Sequence, residues 1–205
     1  VCSFSAHNTY EKNMALMTRY CALFGSPDPT LYYLKKTEKI RLDQSDYDKG
    51  EALEETRDYW IVRFDRDTLP TLGDNGHMFR KDAMLRVVLD PEKYTHTDAF
   101  MDLLGLGFDT YAAVNNTIIH TMNPNLLSHV RRRVEVKELY YDGRRGRRSY
   151  LVYNPESRTD RINLIKYIAY SLTIVQPLLV SLRGYLNKPD VAWFLHPIMC
   201  FLMVV

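Results

Sequence analysis

The chain has 205 residues, of which 46% are hydrophobic and 12% aromatic, a composition that excludes an intrinsically disordered segment and suffices for one domain with its own core. The formal charge of +2 at pH 7 is too small to indicate a nucleic-acid-binding protein by itself, although the basic residues are clustered. The three cysteines are an odd number without C-x-x-C spacing, which argues against a disulfide framework and a zinc site and fits a reducing compartment.

The N-terminal part of the sequence predicts a helix followed by a surface segment. Apolar residues within 4–24 recur at helical spacing, and the segment Gly25-Ser26-Pro27-Asp28-Pro29 is expected to end the helix. The stretch 31–55 is rich first in lysine and then in acidic residues, which predicts a surface excursion. No initiator Met or leader-like segment precedes Val1, and we expect the chain to begin within a longer protein.

A polar loop dominates the middle of the sequence. Residues 59–64 have the composition of a β-strand and lead into Thr71-Leu72-Gly73-Asp74-Asn75-Gly76-His77-Met78-Phe79-Arg80, which we call the polar loop. Its glycines allow backbone to approach a ligand closely, but Gly-Asp-Asn-Gly is also an ordinary turn sequence. Two D-x-D triplets, Asp46-Tyr47-Asp48 and Asp65-Arg66-Asp67, are interpreted as solvated loop acids, because a metal-binding pair is expected at the end of an apolar strand.

A lone carboxylate follows the polar loop at the start of a predicted helix. Residues 97–106 are predicted to form a helix with apolar residues along one side and with Thr95 or Thr97 as the N-cap. Asp98 lies in the first turn, where the helix dipole favours a charged carboxylate, although aspartate is common there for capping alone. His96 can orient a ligand or hydrogen-bond the neighbouring loop.

Other elements flank this helix. A short helix over residues 81–88 and a break at Asp90-Pro91 are predicted before it. A strand over residues 111–120 is predicted after it, and Asn123-Pro124-Asn125 is expected to open the next helix.

A basic region begins on the helix predicted to start after Asn123-Pro124-Asn125. Arg131, Arg132 and Arg133 point about 100° apart around a helix, so they cannot all serve one ligand. Residues 134–153 interleave basic residues with tyrosines. This stretch is interpreted as a solvated loop or hairpin, as an RNA-binding surface, or as a surface whose residues 144–148 face anionic lipid headgroups.

The C-terminal part is apolar. Residues 162–182 approach the length needed to span a bilayer, but Lys166 and Pro177 favour a kinked helix or one lying in the membrane interface. Asn187-Lys188-Pro189-Asp190 breaks the chain before a second apolar run that begins at Trp193-Phe194-Leu195. A pair of buried core helices is the alternative interpretation.

The polar loop, Asp98 and Ser128-His129-Val130-Arg131-Arg132-Arg133 occur in the order and approximate spacing of the second half of the family 2 glycosyltransferase catalytic domain, and the chain resembles that family. In those enzymes an N-G-x-x-x-R loop borders the acceptor, an E-D pair supplies the catalytic base, and a Q-x-x-R-W-like helix holds phosphate. The resemblance extends through residues 25–29, Arg183-Gly184-Tyr185 and Lys188-Pro189-Asp190-Val191-Ala192-Trp193-Phe194-Leu195-His196-Pro197.

The resemblance implies roles for individual residues. Asp98 is expected to be the catalytic base, next to Thr97, where the family has Glu. His129 stands where the family has Gln. Because Thr97 and His129 both depart from the family pattern, the acceptor chemistry is expected to differ. By the same resemblance, the acceptor is bound by Asn75, Gly76, Arg80 and His96, and phosphate is bound by His129, Arg132 and Arg133.

The resemblance also implies a fold and a function. The expected fold is α/β, with the C-terminal half of a GT-A (Rossmann-like) domain over residues 1–155 and a truncated, membrane-associated helical segment over residues 156–205. The expected reaction transfers a sugar from a nucleotide-sugar donor to a polyprenyl-phosphate or saccharide acceptor, on the cytoplasmic side of the cell membrane. Membrane lipid is an expected partner, and nucleic acid is not.

A divalent cation, Mg²⁺ or Mn²⁺, is expected with its ligands outside this chain, on a D-x-D strand before Val1, so this chain alone is expected to be inactive. Two other functions stay open: a non-catalytic membrane-binding or interaction module, and an RNA-binding module built on residues 131–148.

Overall fold

The structure contains a mixed five-stranded β-sheet. It is a computed structural model that describes residues 2–73, 75–88, 95–123, 125–136, 138 and 148–205. The strands are β1 (Cys2–Asn8), β2 (Glu51–Glu55), β3 (Tyr59–Arg63), β4 (His77–Phe79) and β5 (Thr110–Ile118). Their order is β2-β3-β5-β1-β4, with β1 and β5 parallel and the other neighbours antiparallel. The predicted α/β class is confirmed, and β3 and β5 lie where strands were predicted.

Some of the described helices lie between strands along the chain, and the others follow β5 and make up most of the C-terminal part. The described helices are α1 (Leu16–Phe24), α2 (Pro29–Tyr33), α3 (Lys81–Met84), α4 (His96–Gly105), α5 (Leu126–Val136), α6 (Arg158–Thr173), α7 (Val175–Asn187), a 3₁₀ helix (Val191–Phe194) and α8 (Leu195–Leu202).

The first strand lies where the sequence predicted the beginning of a helix. β1 pairs with β5 on one side and β4 on the other, and its Phe4 and Ala6 are buried. The helix α1 begins only at Leu16 and ends at Gly25, whose φ of 73° fits a left-handed C-cap. The helical prediction for residues 4–15 is wrong, because strand pairing on both sides and burial outweigh a weak local periodicity.

Residues 36–41 are buried, although a surface excursion was predicted here. The Ile40 amide donates to the Ala6 carbonyl (3.0 Å), and the Thr71 amide donates to the Lys36 carbonyl (2.9 Å). The segment is thereby held between β1 and the chain leading to β4. Its cationic side chains tolerate burial because each has hydrogen-bond or ion-pair partners. The prediction holds farther on, where β2 is exposed along its length.

Both D-x-D triplets lie in loops, as predicted. Asp46 and Asp48 are exposed. Asp65 is also exposed, and its carboxylate accepts the amide hydrogen bonds of Asp67 (2.9 Å) and Thr68 (2.7 Å) within a turn. The interpretation of these residues as loop acids is confirmed.

Three helix starts were predicted in the middle of the chain. α4 begins after Thr95 as N-cap, and the Asn125 side chain caps α5 by accepting the Ser128 amide hydrogen bond (3.0 Å). The helix predicted over residues 81–88 is shorter, because α3 ends at Met84. The break predicted at Asp90-Pro91 and residue 124 lie outside the described residues.

The apolar stretch 162–182 contributes to two helices. Ile174 separates α6 from α7 in a left-handed conformation (φ 61°), and the two helices are bent by 82°. Pro177 lies in the first turn of α7, where an amide has no intrahelical partner to lose. In the part of the chain that the structure describes, no single helix is long and apolar enough to cross a membrane; the bent pair passes that test only together.

These two helices carry small or polar residues inward and apolar residues outward. The buried positions are Asp160, Tyr167 and Ser171 in α6 and Pro177, Ser181 and Gly184 in α7. The exposed apolar positions recur at helical spacing and are Ile162, Ile165, Ile168 and Leu172 in α6 and Val175, Leu178, Leu179, Leu182 and Leu186 in α7. This arrangement is the reverse of the usual surface helix of a globular protein.

The last helical segments share a core with α1. Trp193 is fully buried, and its ring centroid lies 4.9 Å from that of Phe24. The Ser181 hydroxyl donates to the Trp193 carbonyl (2.7 Å), which joins α7 to the same cluster. Residues 191–202 therefore pack on the N-terminal part of the chain, while the division of the chain after residue 155 stays a prediction.

His196 completes this core as a neutral group. Its Nδ1 lies 3.2 Å from the Tyr20 hydroxyl, and its Nε2 lies 3.1 Å from the Tyr33 hydroxyl. Burial, with a smaller contribution from Arg41, lowers the pKa of His196 to about 3. One ring nitrogen therefore accepts a tyrosine hydrogen bond and the other donates one.

Gly184 allows α7 to approach Trp193, because a Cβ atom at this position would lie 2.6 Å from the indole Cδ2. We expect Gly184→Ala to lower the free energy of unfolding by about 1–3 kcal/mol, since the buried indole has to shift. Gly105→Ala is the matched control, because no atom lies within 4 Å of a Cβ there, and it should be neutral or stabilising. Denaturant unfolding measures both, and equal stability of Gly184→Ala and wild type would contradict the close packing of α7 on Trp193.

Candidate functional site

Two segments that were predicted to form a site are in direct contact. Gly73 in the polar loop has a φ of 101°, and a Cβ atom there would lie 2.6 Å from His96 Cβ and 2.8 Å from Phe100 Cε2. The loop therefore packs on the first turns of α4, and only glycine fits at this contact. The structure thereby brings His96 and the start of α4 to the polar loop.

The other end of the polar loop is fixed to the central strand. The Ser5 amide donates to the Gly76 carbonyl (3.2 Å), and a Cβ atom on Gly76, whose φ is 74°, would lie 2.9 Å from Ser5 Oγ. Asn75 is half-buried, and its backbone carbonyl oxygen accepts a hydrogen bond from Lys39 Nζ (3.1 Å). Asp74 lies outside the described residues.

Asp98 is held by a segment that lies far along the chain. Its Oδ1 accepts the Tyr150 amide hydrogen bond (2.9 Å), and its Oδ2 lies 2.6 Å from Arg148 Nε. Arg148 also donates to Thr97 Oγ1 (2.9 Å), and the Ser149 hydroxyl donates to the Asp98 carbonyl (3.3 Å). The Asp98 side chain is 19% exposed and that of Arg148 is 5% exposed. A carboxylate accepts about four hydrogen bonds, so Asp98 keeps acceptor capacity on its exposed side.

Arg80 has a partner of its own. Its guanidinium makes two contacts with the Asp82 carboxylate, Nε to Oδ1 at 3.1 Å and Nη2 to Oδ2 at 2.6 Å, and both side chains are exposed. The hydrogen bond to Asp82 raises the pKa of Arg80. His96 thus lies where Gly73 of the polar loop contacts α4, whereas Asn75 and Gly76 lie at the end of the loop that is fixed to β1 and Lys39. Arg80 is paired at the start of α3.

The predicted phosphate-binding residues lie on α5, beside the turn before α2. His129 is 4% exposed, its ring has a hydrogen bond with the Pro27 backbone, and within the described chain its Nε2 has no hydrogen-bond partner. Burial, followed by the nearby Arg133, lowers the pKa of His129. Arg133 Nε lies 3.9 Å from Asp28 Oδ2, and Arg132 is exposed.

An open depression of about 360 Å³ lies beside α4. It is bounded by the Asp102 turn of that helix and by Ser149, which contacts the backbone of Asp98. Arg66 and Arg86 contribute positive charge to its rim. The arrangement leaves space for a polar molecule next to the helix that carries Asp98.

Sequence reasoning missed two features of this site. Arg148 was placed in a basic stretch facing lipid or RNA, but it is buried on Asp98, while residues 139–147 lie outside the described chain. The buried Glu38 and Lys39 beneath the polar loop were assigned to the surface. No local pattern marks either contact, since Arg148 with Asp98 and Lys39 with Asn75 each join parts of the chain that are distant in sequence.

The described residues do not form a divalent-cation site. Within them, no group of three or more His, Cys, Asp or Glu side chains is placed to hold a metal ion. Comparison with protein families, with curated proteins and with solved structures gives no match for this chain.

Proposed function

We propose that this chain is the C-terminal half of the catalytic domain of a family 2-like, GT-A-type glycosyltransferase. Its reaction transfers a sugar from a nucleotide-sugar donor to a polyprenyl-phosphate or saccharide acceptor. The observation that carries the proposal is the contact of Gly73 with His96 and Phe100, which joins the polar loop to the helix of Asp98. The sequence motifs alone predict that these two segments belong to one site.

In the proposed reaction Asp98 is the general base. The acceptor hydroxyl donates to the exposed side of the carboxylate and transfers its proton there as its oxygen attacks the anomeric carbon. The bond between that carbon and the donor diphosphate breaks, and its electron pair leaves with the diphosphate. Arg148 and the Tyr150 amide hold the carboxylate in one orientation, which keeps its remaining lone pairs aimed away from these two donors.

The proposal is tested with the full-length protein. Purified protein is incubated with nucleotide sugars and either polyprenyl phosphates or oligosaccharides, and released nucleoside diphosphate and the glycosylated acceptor are measured together. We expect the two products in equal amounts. Absence of both for every donor would contradict the proposed function.

The expected divalent cation neutralises the departing diphosphate when it is bound. By the resemblance to family 2 glycosyltransferases, its ligands are proposed to lie on a D-x-D strand outside this chain. No step above depends on it.

Of the two arginines predicted to bind phosphate, Arg132 is more available to a ligand, because it is exposed whereas Arg133 faces Asp28. We expect Arg132→Lys to reduce donor or acceptor use about tenfold, since lysine keeps the charge but lacks the planar fork for bidentate phosphate contacts. Saturation kinetics measure this loss. Arg131→Lys, also exposed on α5, is the control and should match wild type. Wild-type kinetics of Arg132→Lys would contradict phosphate binding by Arg132.

The proposed location is the cytoplasmic face of the cell membrane, with α6 and α7 lying in the interface. The supporting observation is their outward apolar face, where Ile165 is 67% and Leu186 80% exposed. Lys166 and Arg183 are exposed on the same two helices and can reach the headgroups while the apolar side chains enter the acyl boundary.

The second candidate function is a non-catalytic membrane-binding or interaction module, which the same apolar face also favours. An RNA-binding module built on residues 131–148 receives less support, because Arg148 is committed to Asp98 and Arg133 faces Asp28. Turnover by the full-length protein would distinguish the proposed enzyme from both non-catalytic alternatives.

A further inference from the structure

A buried ion pair lies beneath the polar loop. Lys39 and Glu38 belong to the buried segment 36–41, their side chains are 2% and 9% exposed, and Lys39 Nζ lies 2.8 Å from Glu38 Oε1. Nζ also donates to the carbonyl oxygens of Asn75 (3.1 Å) and Ser5 (3.2 Å). An ammonium group has three N–H donors, and these three contacts use all of them. Lys39 thereby ties the polar loop to the central strand.

His77 extends the network to the other side of the loop. Its Nε2 lies 3.3 Å from Glu38 Oε2 and 3.1 Å from the Gly73 amide nitrogen, and its ring stacks on Phe4 with centroids 5.5 Å apart. Nε2 accepts from the amide only when it carries no proton and donates to Glu38 only when it carries one. In either state the imidazole lies between the loop backbone and the buried carboxylate.

We propose that Glu38, Lys39 and His77 are positioning residues that fix the backbone of the polar loop for acceptor binding, an inference that rests on the proposed function. A buried ion pair stabilises a fold weakly because desolvation offsets its attraction, and its better-supported use is to select one arrangement. The arrangement selected here is that of a loop in which Gly73 and Gly76 have positive φ. Glycine is conformationally permissive, so such a loop needs contacts to hold it.

The network predicts a specific kinetic defect. Transfer requires the acceptor hydroxyl to be within hydrogen-bond distance of Asp98, and the polar loop packs on the helix that carries this residue. A loosened loop should therefore raise the acceptor KM or lower kcat while leaving the donor KM unchanged. Uniform loss of structure would instead affect both substrates.

The experiment compares Lys39→Met with Lys36→Met in the full-length protein. Lys36 lies in the same segment and is equally buried, but its ammonium donates to the Asp67 carbonyl. Hydrogen exchange followed by mass spectrometry should show amide exchange in residues 75–79 about tenfold faster or more in Lys39→Met, because these amides open locally. Lys36→Met should leave those amides at the wild-type rate.

A second variant covers the case in which Lys39→Met does not fold. Glu38→Gln/Lys39→Met removes both buried charges, so no unpaired carboxylate remains, and it should show the same local acceleration. Wild-type exchange in residues 75–79, or acceleration that is uniform over the whole sheet, would overturn the proposal.

The kinetic arm separates this inference from the proposed function. About a tenfold fall in kcat/KM for the acceptor, with the donor KM unchanged, supports positioning of the acceptor loop. Accelerated exchange with unchanged acceptor kinetics overturns the positioning role. If the wild-type protein transfers sugar from none of the donors, the proposed function is wrong. The exchange data still decide in that case whether the network holds the loop.

Discussion

Asp98→Asn in the full-length protein should lower transferase turnover by about a hundredfold or more. The amide cannot take up the proton of the acceptor hydroxyl, whereas its oxygen still accepts the Tyr150 amide hydrogen bond. Initial rates at saturating donor and acceptor, measured as released nucleoside diphosphate, provide the test. Asp46→Asn is the control, because Asp46 is an exposed carboxylate in a loop away from the polar loop and α4, and it should retain the wild-type rate.

A companion variant distinguishes chemistry from stability. Asp98→Asn leaves the buried Arg148 without its anionic partner, which should cost about 1–3 kcal/mol of stability. Asp98→Asn/Arg148→Met removes both charges and should recover the melting temperature without recovering turnover. Near-normal turnover of Asp98→Asn, or turnover that returns together with stability, would reduce Asp98 to a residue that anchors the start of α4.

The elements predicted correctly are those that depend on local chemistry. β3 and β5 are rich in β-branched and aromatic residues, and the end of α1 coincides with Gly25 in the left-handed conformation that glycine favours. Asp98 was placed in the first turn of its helix from the same kind of local pattern. Such patterns act over a few residues, so they are visible in a single sequence.

The elements missed depend on partners that are distant in sequence. β1 is a strand because β4 and β5 pair with it, and nothing within residues 2–8 reveals those neighbours. The cations of segment 36–41 are buried because Glu38, Asp43 and backbone carbonyls compensate them. Likewise, the charge of Arg148 indicated a solvated surface, and only the tertiary fold brings it to Asp98.

Replacing Ile165, Leu179 and Leu186 together by serine should abolish binding of the full-length protein to anionic vesicles. These side chains are exposed on the outward faces of α6 and α7. Each is expected to contribute about 1–2 kcal/mol to the free energy of membrane binding when it enters the acyl boundary. Their combined loss should lower the partition coefficient more than a hundredfold. Liposome flotation measures the effect, with the variant remaining at the bottom of the gradient.

The control carries three serines in place of exposed apolar residues elsewhere, Leu85, Leu106 and Ile119, and should float like wild type. The charge contribution is tested separately with Arg144, Arg145 and Arg147 replaced by serine. These residues lie outside the described chain. Each is expected to add about 1 kcal/mol to the free energy of binding to anionic vesicles. Arg148 is left intact because its guanidinium pairs with Asp98 and cannot face lipid at the same time.

The result distinguishes two ways of covering the apolar face. If the triple serine variant floats as well as wild type, residues other than the outward faces of α6 and α7 attach the protein to lipid. If wild-type protein stays at the bottom of the gradient, these faces are covered by protein, and the same variant should then change the oligomeric state. Since Ser171, Ser181 and Gly184 fill the inward faces of these helices, burying their leucines in the domain core would require both helices to rotate. Lipid contact is expected because it requires no such rearrangement.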